Sequence, residues 1–259
     1  MKMMTVKNDT VKNDKNDENL FISAQKTDET GFVSEVSVPQ EPALNFKVEN
    51  IFSCPIYIAH KPEWIQPLIK ATNPIVKRII NQYKKDKLPL PNSYHSELLW
   101  TYPEFKDIAN LILQQSWNIL SWQGYDLTAK LPMLTELWVQ QFPEEGGYHD
   151  IHMHGNNHIS GFYFLQCSKK TSHPFFNDPR PGKIMSDLRL KDLKAKVNYA
   201  NSQIHYPVKP GQFIFFNSYM PHSYIYYKGV EPFRFIHFNM QAVVDPKGIS
   251  NVKEAQTRG

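Results

Sequence analysis

From Met133 onward the chain is written in short runs of aromatic and β-branched residues, punctuated by Gly, Pro, Asn and Asp, and this pattern restricts the second half to β structure. The runs are Thr135 to Phe142, His149 to His154, Ile159 to Cys167, Pro174 to Asn177, Gln203 to Val208, Gln212 to Asn217, His222 to Tyr227 and Phe233 to Val243. Strands of this number and spacing suit a double-sheet jelly roll, an architecture that leaves a mouth between its sheets. A long charged insertion, Arg180 to Ser202, interrupts them and is either a lid over that mouth or a surface excursion.

The first half reads differently. Apolar residues Phe105, Ile108, Ala109, Ile112, Ile119 and Leu120 recur at three- and four-residue intervals, which predicts an amphipathic helix over Glu104 to Leu120. A second helix is expected over Pro62 to Tyr83, interrupted at Asn73-Pro74 because the residue before a proline is pushed out of helical geometry. A strand over Asn50 to Ala59 opens the folded part. Residues 1–45 are rich in Lys, Asn, Asp, Thr and Glu, repeat Val-Lys-Asn-Asp at 6–9 and 11–14, and have little apolar surface to bury, so a disordered tail is expected there. The reading is one catalytic-sized, mostly β domain with N-terminal helices over 46–245, and a C-terminal tail over 246–259.

Charge narrows the partners. The 29 basic and 25 acidic residues are spread along the chain and give +4, without a basic run that would track phosphates, so nucleic acid is not implied. Cys54 and Cys167 lie far apart in apolar, strand-like surroundings, which fits a reducing compartment. There is no apolar run long enough for a bilayer, and Met1 to Asn19 lacks the apolar core of a signal peptide. A soluble, cytoplasmic protein is expected; the oligomeric state is open.

The chemistry is concentrated in Gly147-Tyr148-His149-Asp150-Ile151-His152-Met153-His154 and, about seventy residues on, Met220-Pro221-His222. In an extended strand Asp150, His152 and His154 share a face and can converge on one ion, and a third ligand from a distant strand leaves the far side of an octahedral metal open. A solvated turn or a closed structural zinc would use the same residue types. A hairpin centred near Lys228 sets His222 about opposite Arg234. A guanidinium beside a metal is what a chelating dicarboxylate needs for its distal end.

Several ordered segments carry a resemblance. Gly146 to His154 followed by Ile159-Ser160-Gly161-Phe162-Tyr163-Phe164-Leu165 resembles the "H-x-H … S-G-x-Y-Y-L" signature of a bacterial and phage family of 2-oxoglutarate, Fe(II)-dependent oxygenases. Phe176 to Gly182 resembles that family's "D-P-R" segment, Pro210 to His222 its "P-G-x-L-x-x-F-P-S-x-x-x-H", and Arg234 to Asn239 its closing "R-x-S-x-x-F-N". The resemblance covers roughly residues 48 to 243. It implies a double-stranded β-helix, His152 and His222 as iron ligands, Arg234 as the anchor of 2-oxoglutarate, and Tyr163 and Asn239 as candidate contacts to cosubstrate or substrate.

Two departures stand out. The wider superfamily carries His-x-Asp where this chain has His152-x-His154, so the third ligand is His154, Asp150 or water; His154 is favoured because it occupies the superfamily's acid position. Phe164 stands where many relatives have tyrosine, and Tyr163 faces the other way in a regular strand. His149, on the face opposite His152, and His158, in a turn, are expected outside the ligand set. The activity implied is hydroxylation of a C–H bond of a protein side chain, such as proline, or of a small metabolite, with O2 consumed and 2-oxoglutarate decarboxylated to succinate. The alternatives are a cupin-like three-histidine oxygenase that does not use 2-oxoglutarate, and a non-enzymatic jelly-roll module holding a metal.

Overall fold

The computed structural model of the chain describes residues 23–27, 33–37, 52–167, 172–185, 200–227 and 232–247. The chain divides into two compact units, 1–52 and 53–259. In the first, β1 (Ser23–Thr27) and β2 (Val33–Ser37) pair antiparallel with Thr27 opposite Val33. This hairpin falls inside the stretch expected as a disordered tail, whose other residues lie outside the described ones, as does the expected C-terminal tail beyond 247.

The second unit runs β3 (Ile56–His60), α1 (Ile65–Lys85), β4 (Tyr94–His95), α2 (Lys106–Trp122), β5 (Lys130–Phe142), β6 (Gly147–His152), β7 (Ile159–Gln166), β8 (Phe175–Asn177), the short α3 (Pro181–Ile184), β9 (Gln203–His205), β10 (Gln212–Asn217), β11 (His222–Tyr227) and β12 (Phe233–Val244). The strands form a six-stranded sheet in the order β3-β10-β7-β12-β5-β4 and a four-stranded sheet in the order β6-β11-β8-β9, antiparallel throughout. From β5 to β8, and again from β9 to β12, the chain passes repeatedly between the two sheets. That winding is the jelly roll expected from the strand spacing and the double-stranded β-helix that the resemblance implies.

Period-two alternation sorts the six-stranded sheet into two faces. Leu137, Val139, Tyr163, Leu165, Phe213, Phe215, Ile236, Phe238 and Met240 form one buried cluster with α1 and α2 residues such as Leu68, Ile75, Ile108 and Ile112. Phe142, Phe162, Phe164, Ile214, Phe216, Phe233 and Phe235 point the other way and meet Phe176 and Tyr224 of the four-stranded sheet. Gly161 is required where β7 runs between β10 and β12: a Cβ there would stand 2.2 Å from the Ile214 carbonyl oxygen and 2.3 Å from the Phe238 ring.

Two local expectations are corrected. Helix α1 is not interrupted at Asn73-Pro74 but continues through Pro74. The Thr72 hydroxyl donates to the Leu68 carbonyl at 2.8 Å and accepts from Arg234 Nη1 at 3.1 Å, while Asn73 Oδ1 accepts from the same nitrogen at 2.7 Å. Tertiary bonds thus hold helical geometry on the residues that Pro74 disfavours locally. Second, β11 and β12 do not form a hairpin. They lie in different sheets, with His222 opposite His152 and Phe176, and Arg234 opposite Gln141 and Gln166. Their aromatic residues meet face to face across the sandwich instead, Tyr224 stacking on Phe235 at 5.3 Å between centroids. Of the charged insertion, residues 186–199 lie outside the described residues. No helix among the described residues is long and apolar enough to cross a membrane.

Candidate metal centre

His152 closes β6 and His222 opens β11, and the sheet register sets them directly opposite each other. Each imidazole is oriented by the carbonyl two residues before it. His152 Nδ1 bonds the Asp150 carbonyl at 2.7 Å and His222 Nδ1 bonds the Met220 carbonyl at 3.1 Å. A carbonyl can only accept, so both Nδ1 atoms carry the proton and both Nε2 atoms present a lone pair. His154 follows β6 and is pinned by its backbone N–H, which donates to the Ser218 carbonyl at 3.0 Å. Its Nε2 comes within 3.2 Å of His222 Nε2. Donor nitrogens of His152, His154 and His222 all lie within 4.8 Å of one another.

Burial prepares these rings to bind a cation. His222 is 1% exposed and enclosed by Phe216, Phe162 and Phe176, so burial first, and the neighbouring His152 and His154 second, hold it neutral well below the usual imidazole range. Burial pushes His152 down to about 4. Both are therefore neutral at pH 7, as metal ligands must be. The Asp150 side chain is exposed and its carboxylate is not among the converging donors, so it does not supply a third ligand in this arrangement. His152 and His154 are only half-buried. Clefts of about 310 and 330 Å³ open beside them, one lined by Tyr125, Met153, His154 and Tyr219, the other by Ser93, His95, Tyr148, His149 and His152.

The bulge in β6 changes one expectation. Between the pairs His222↔His152 and Tyr224↔His149 the register slips by one residue. An extra residue in one strand swaps the face of what precedes it. His149 therefore stands beside His152, with 4.1 Å between ring centroids, rather than on the opposite face, though it is not among the converging donors. His158 is structural: its backbone N–H donates to Met240 and its Nδ1 accepts from the Ala242 N–H at 3.0 Å.

Of the remaining expected site residues, only Asn239 reaches the cluster, its Nδ2 lying 2.6 Å from His154 Nδ1 and bonded also to Glu136. Arg234 and Tyr163 are on the helix-facing side of the sheet. The Arg234 guanidinium donates to Gln141 Oε1 at 2.7 Å as well as to Thr72 and Asn73, and burial lowers its pKa to about 10. Tyr163 donates to the Lys61 carbonyl at 2.8 Å and packs on Phe213 at 4.3 Å. Neither role expected for these two at a cosubstrate is supported by where they lie. A signal was available for Arg234. In the family's closing segment the arginine stands five residues before the phenylalanine of Phe-Asn, whereas Arg234 stands four before Phe238, and an odd shift along a strand turns a side chain to the other face. The inward position is taken by Phe233.

Sequence reasoning also missed Glu136 and His237. His237 is 3% exposed, stacked between Trp138 at 5.0 Å and His154 at 4.9 Å, and neither of its ring nitrogens has a hydrogen-bond partner. Glu136 Oε2 lies 3.8 Å from Nδ1 of both His154 and His237. The period-two alternation of Phe233, Phe235 and His237 along β12 was the signal that could have found this inward histidine.

The jelly roll thus brings three imidazoles from neighbouring strands together, with clefts beside them, in an arrangement that could hold a metal ion. Residues 136–239 match the sequence model of a family described as "Putative 2OG-Fe(II) oxygenase", so this segment of the jelly roll is similar to the 2OG-Fe(II) oxygenases, a family of oxidoreductases. No curated protein matches the chain. Among solved structures it is similar to an oxidoreductase of the 2OG-Fe(II) oxygenase family from Burkholderia pseudomallei (9% identity, 57% of this chain and 66% of that one, TM-score 0.40). It is also similar to a Pseudomonas putida prolyl-4-hydroxylase (10%, 73% and 94%, 0.46) and to AviO1 from Streptomyces viridochromogenes Tue57 (14%, 74% and 90%, 0.49). The family implies Fe(II), 2-oxoglutarate and O2.

Proposed function

We propose that this chain is an iron-dependent oxygenase of the 2-oxoglutarate class whose Fe(II) is held by His152, His154 and His222, and which hydroxylates a protein side chain or a small metabolite. The observation that carries the reading is the pair of Nδ1 bonds to the Asp150 and Met220 carbonyls, which leaves two Nε2 lone pairs aimed at one point beside His154. Three imidazoles suit a divalent first-row ion, so the residues present fit iron. Bound there, iron would supply the activation of O2 that lets oxygen enter a C–H bond.

The chain's own contribution is positional. The Asp150 and Met220 carbonyls fix the His152 and His222 tautomers, and the Ser218 carbonyl fixes the backbone at His154. Phe162, Phe176 and Phe216 keep water from the buried side of His222. The half-buried sides of His152 and His154 face the two clefts, through which substrate and O2 would approach.

For 2-oxoglutarate the fit is different. The guanidinium expected to meet its distal carboxylate already donates to Gln141, Thr72 and Asn73 on the other face of the sheet, so Arg234 does not fit as the anchor. That observation favours a second reading, a three-histidine oxygenase that does not use 2-oxoglutarate. Anaerobic reconstitution with Fe(II), recorded in the visible region before and after 2-oxoglutarate is added, separates the two. The first reading expects a weak charge-transfer band that needs both components and is absent in His222→Ala. Bound iron with no such band would sink it in favour of the second reading, and no iron binding at all would overturn both.

A further inference from the structure

We propose that Glu136, His154 and His237 form a second divalent-cation site, which shares the His154 imidazole with the first. The proposal does not depend on whether the protein uses 2-oxoglutarate. Its donors come from three segments: Glu136 from β5, His154 from the loop after β6, and His237 from β12. One donor atom from each lies within 4.8 Å of the others. The carboxylate oxygen Oε2 of Glu136 is equidistant, at 3.8 Å, from Nδ1 of His154 and of His237. Ligand atoms on a tetrahedral ion with bonds of about 2.1 Å stand about 3.4 Å apart, so each Glu136–histidine separation closes on an ion with a shift of about 0.4 Å.

A second observation points independently to a ligand. A neutral imidazole must carry one N–H and one lone pair, and buried groups of this kind are almost always satisfied. His237 is 3% exposed with both ring nitrogens unpartnered, on the inward face of a central strand where a phenyl ring would pack without that cost. An ion at Nδ1 supplies the missing partner. Asn239 fits the same account. Its Nδ2 now lies against Glu136 and 2.6 Å from His154 Nδ1, between the two prospective ligands, while its Oδ1 is buried and unpartnered. Turning the amide over withdraws a donor from the ion's place and offers its oxygen as a fourth ligand atom.

Two nitrogen donors and a carboxylate suit a borderline first-row ion such as Zn(II) or Fe(II) better than Ca(II) or Mg(II). His154 then binds the first ion through Nε2 and the second through Nδ1, as an imidazolate whose remaining proton passes to solvent on loading. The second ion fixes the orientation of the first ion's third ligand, a task the Asp150 and Met220 carbonyls perform for His152 and His222.

The test is an anaerobic Co(II) titration of the chelator-stripped full chain, followed by absorption and calorimetry, with metal counted after desalting. Glu136→Gln and His237→Ala should each bind one ion fewer than wild type, and His154→Ala two fewer. His152→Ala examines the first site separately: an unchanged count in that variant overturns the iron-ligand reading and leaves the second site standing. A count unchanged by Glu136→Gln overturns the second site. Loss of only one ion in His154→Ala overturns the sharing. Should His237→Ala fail to fold by circular dichroism, Glu136→Gln decides alone, because its half-buried carboxylate is replaced without loss of volume.

Discussion

Arg234 and His237 stand three residues apart on the same strand, equally inaccessible at 7% and 3% exposure, on opposite faces of one sheet. The arginine is a buried cation surrounded by acceptors: Gln141 on the neighbouring strand, Thr72 and Asn73 on α1. The histidine is a buried neutral ring with no acceptor or donor at either nitrogen. A polar group whose bonds are complete fits a part in the scaffold, while one left incomplete in a cluster of metal-ligating side chains is a candidate ligand. Residue type alone assigns these roles the other way round, since an arginine near a metal motif suggests an anchor and a histidine inside a strand suggests packing. The distinction between the faces is what separates them.

The largest effect that can break this comparison is on the ligand face. His222→Ala should lower Fe(II) affinity by more than the roughly 10–100-fold that loss of an outer partner costs. Anaerobic titration measures it, and an unchanged affinity would mean that the inward histidines are packing after all. On the other face, Arg234→Ala should cost about 2–4 kcal/mol of stability, because charge-assisted bonds to three groups are lost and the buried side chains of Gln141 and Thr72 lose that donor. Denaturant unfolding reads that loss directly. An anchor would behave oppositely, with stability preserved and dependence on 2-oxoglutarate abolished.

A smaller effect comes with acid. Folded His152 titrates at about 4, and His222 and His237 well below their usual range, all chiefly through burial, against about 6.5 for an unfolded imidazole. Between those values the unfolded chain binds more protons, so stability of the metal-free protein falls as pH drops from about 6.5 toward about 4. Arg234 stays protonated throughout this window, with its pKa near 10. Urea midpoints at pH 7 and pH 5 should therefore differ in wild type and in Arg234→Ala by the same amount. In His152→Asn the difference should shrink, and an undiminished slope there would show that the acid sensitivity arises elsewhere.

What was legible in the sequence follows from which interactions are local. The number and spacing of the strands were readable because turn residues and period-two runs are local, and the grouping of His152, His154 and His222 because two of the three lie on one short segment. The face of Arg234 was not, because it depends on which strand pairs with β12. Pairing β12 with its chain neighbour β11 is the simple local choice, yet burial of Tyr224, Phe233 and Phe235 between the sheets overrides it. The continuation of α1 through Pro74 was hidden for the same reason, since the bonds that hold Thr72 and Asn73 come from a residue 160 positions away or more. His149 was misplaced by a single bulge, which leaves no mark in the hydrophobic pattern of β6.

Tyr163 gives the smallest and most selective test of the two faces. Its hydroxyl makes one bond, to the Lys61 carbonyl, and its ring lies in the cluster that joins the sheet to the helices. Tyr163→Phe keeps the ring and removes only that bond, so it should cost about 1 kcal/mol of stability. Iron affinity and the concentration of 2-oxoglutarate needed for half-maximal turnover, if turnover requires it, should stay at their wild-type values, because the side chain reaches neither the histidines nor the clefts beside them. A several-fold rise in that concentration at unchanged stability would mean that β7 turns its other face to the site when cosubstrate binds, and would reverse the assignment of faces from which the role of Arg234 was argued.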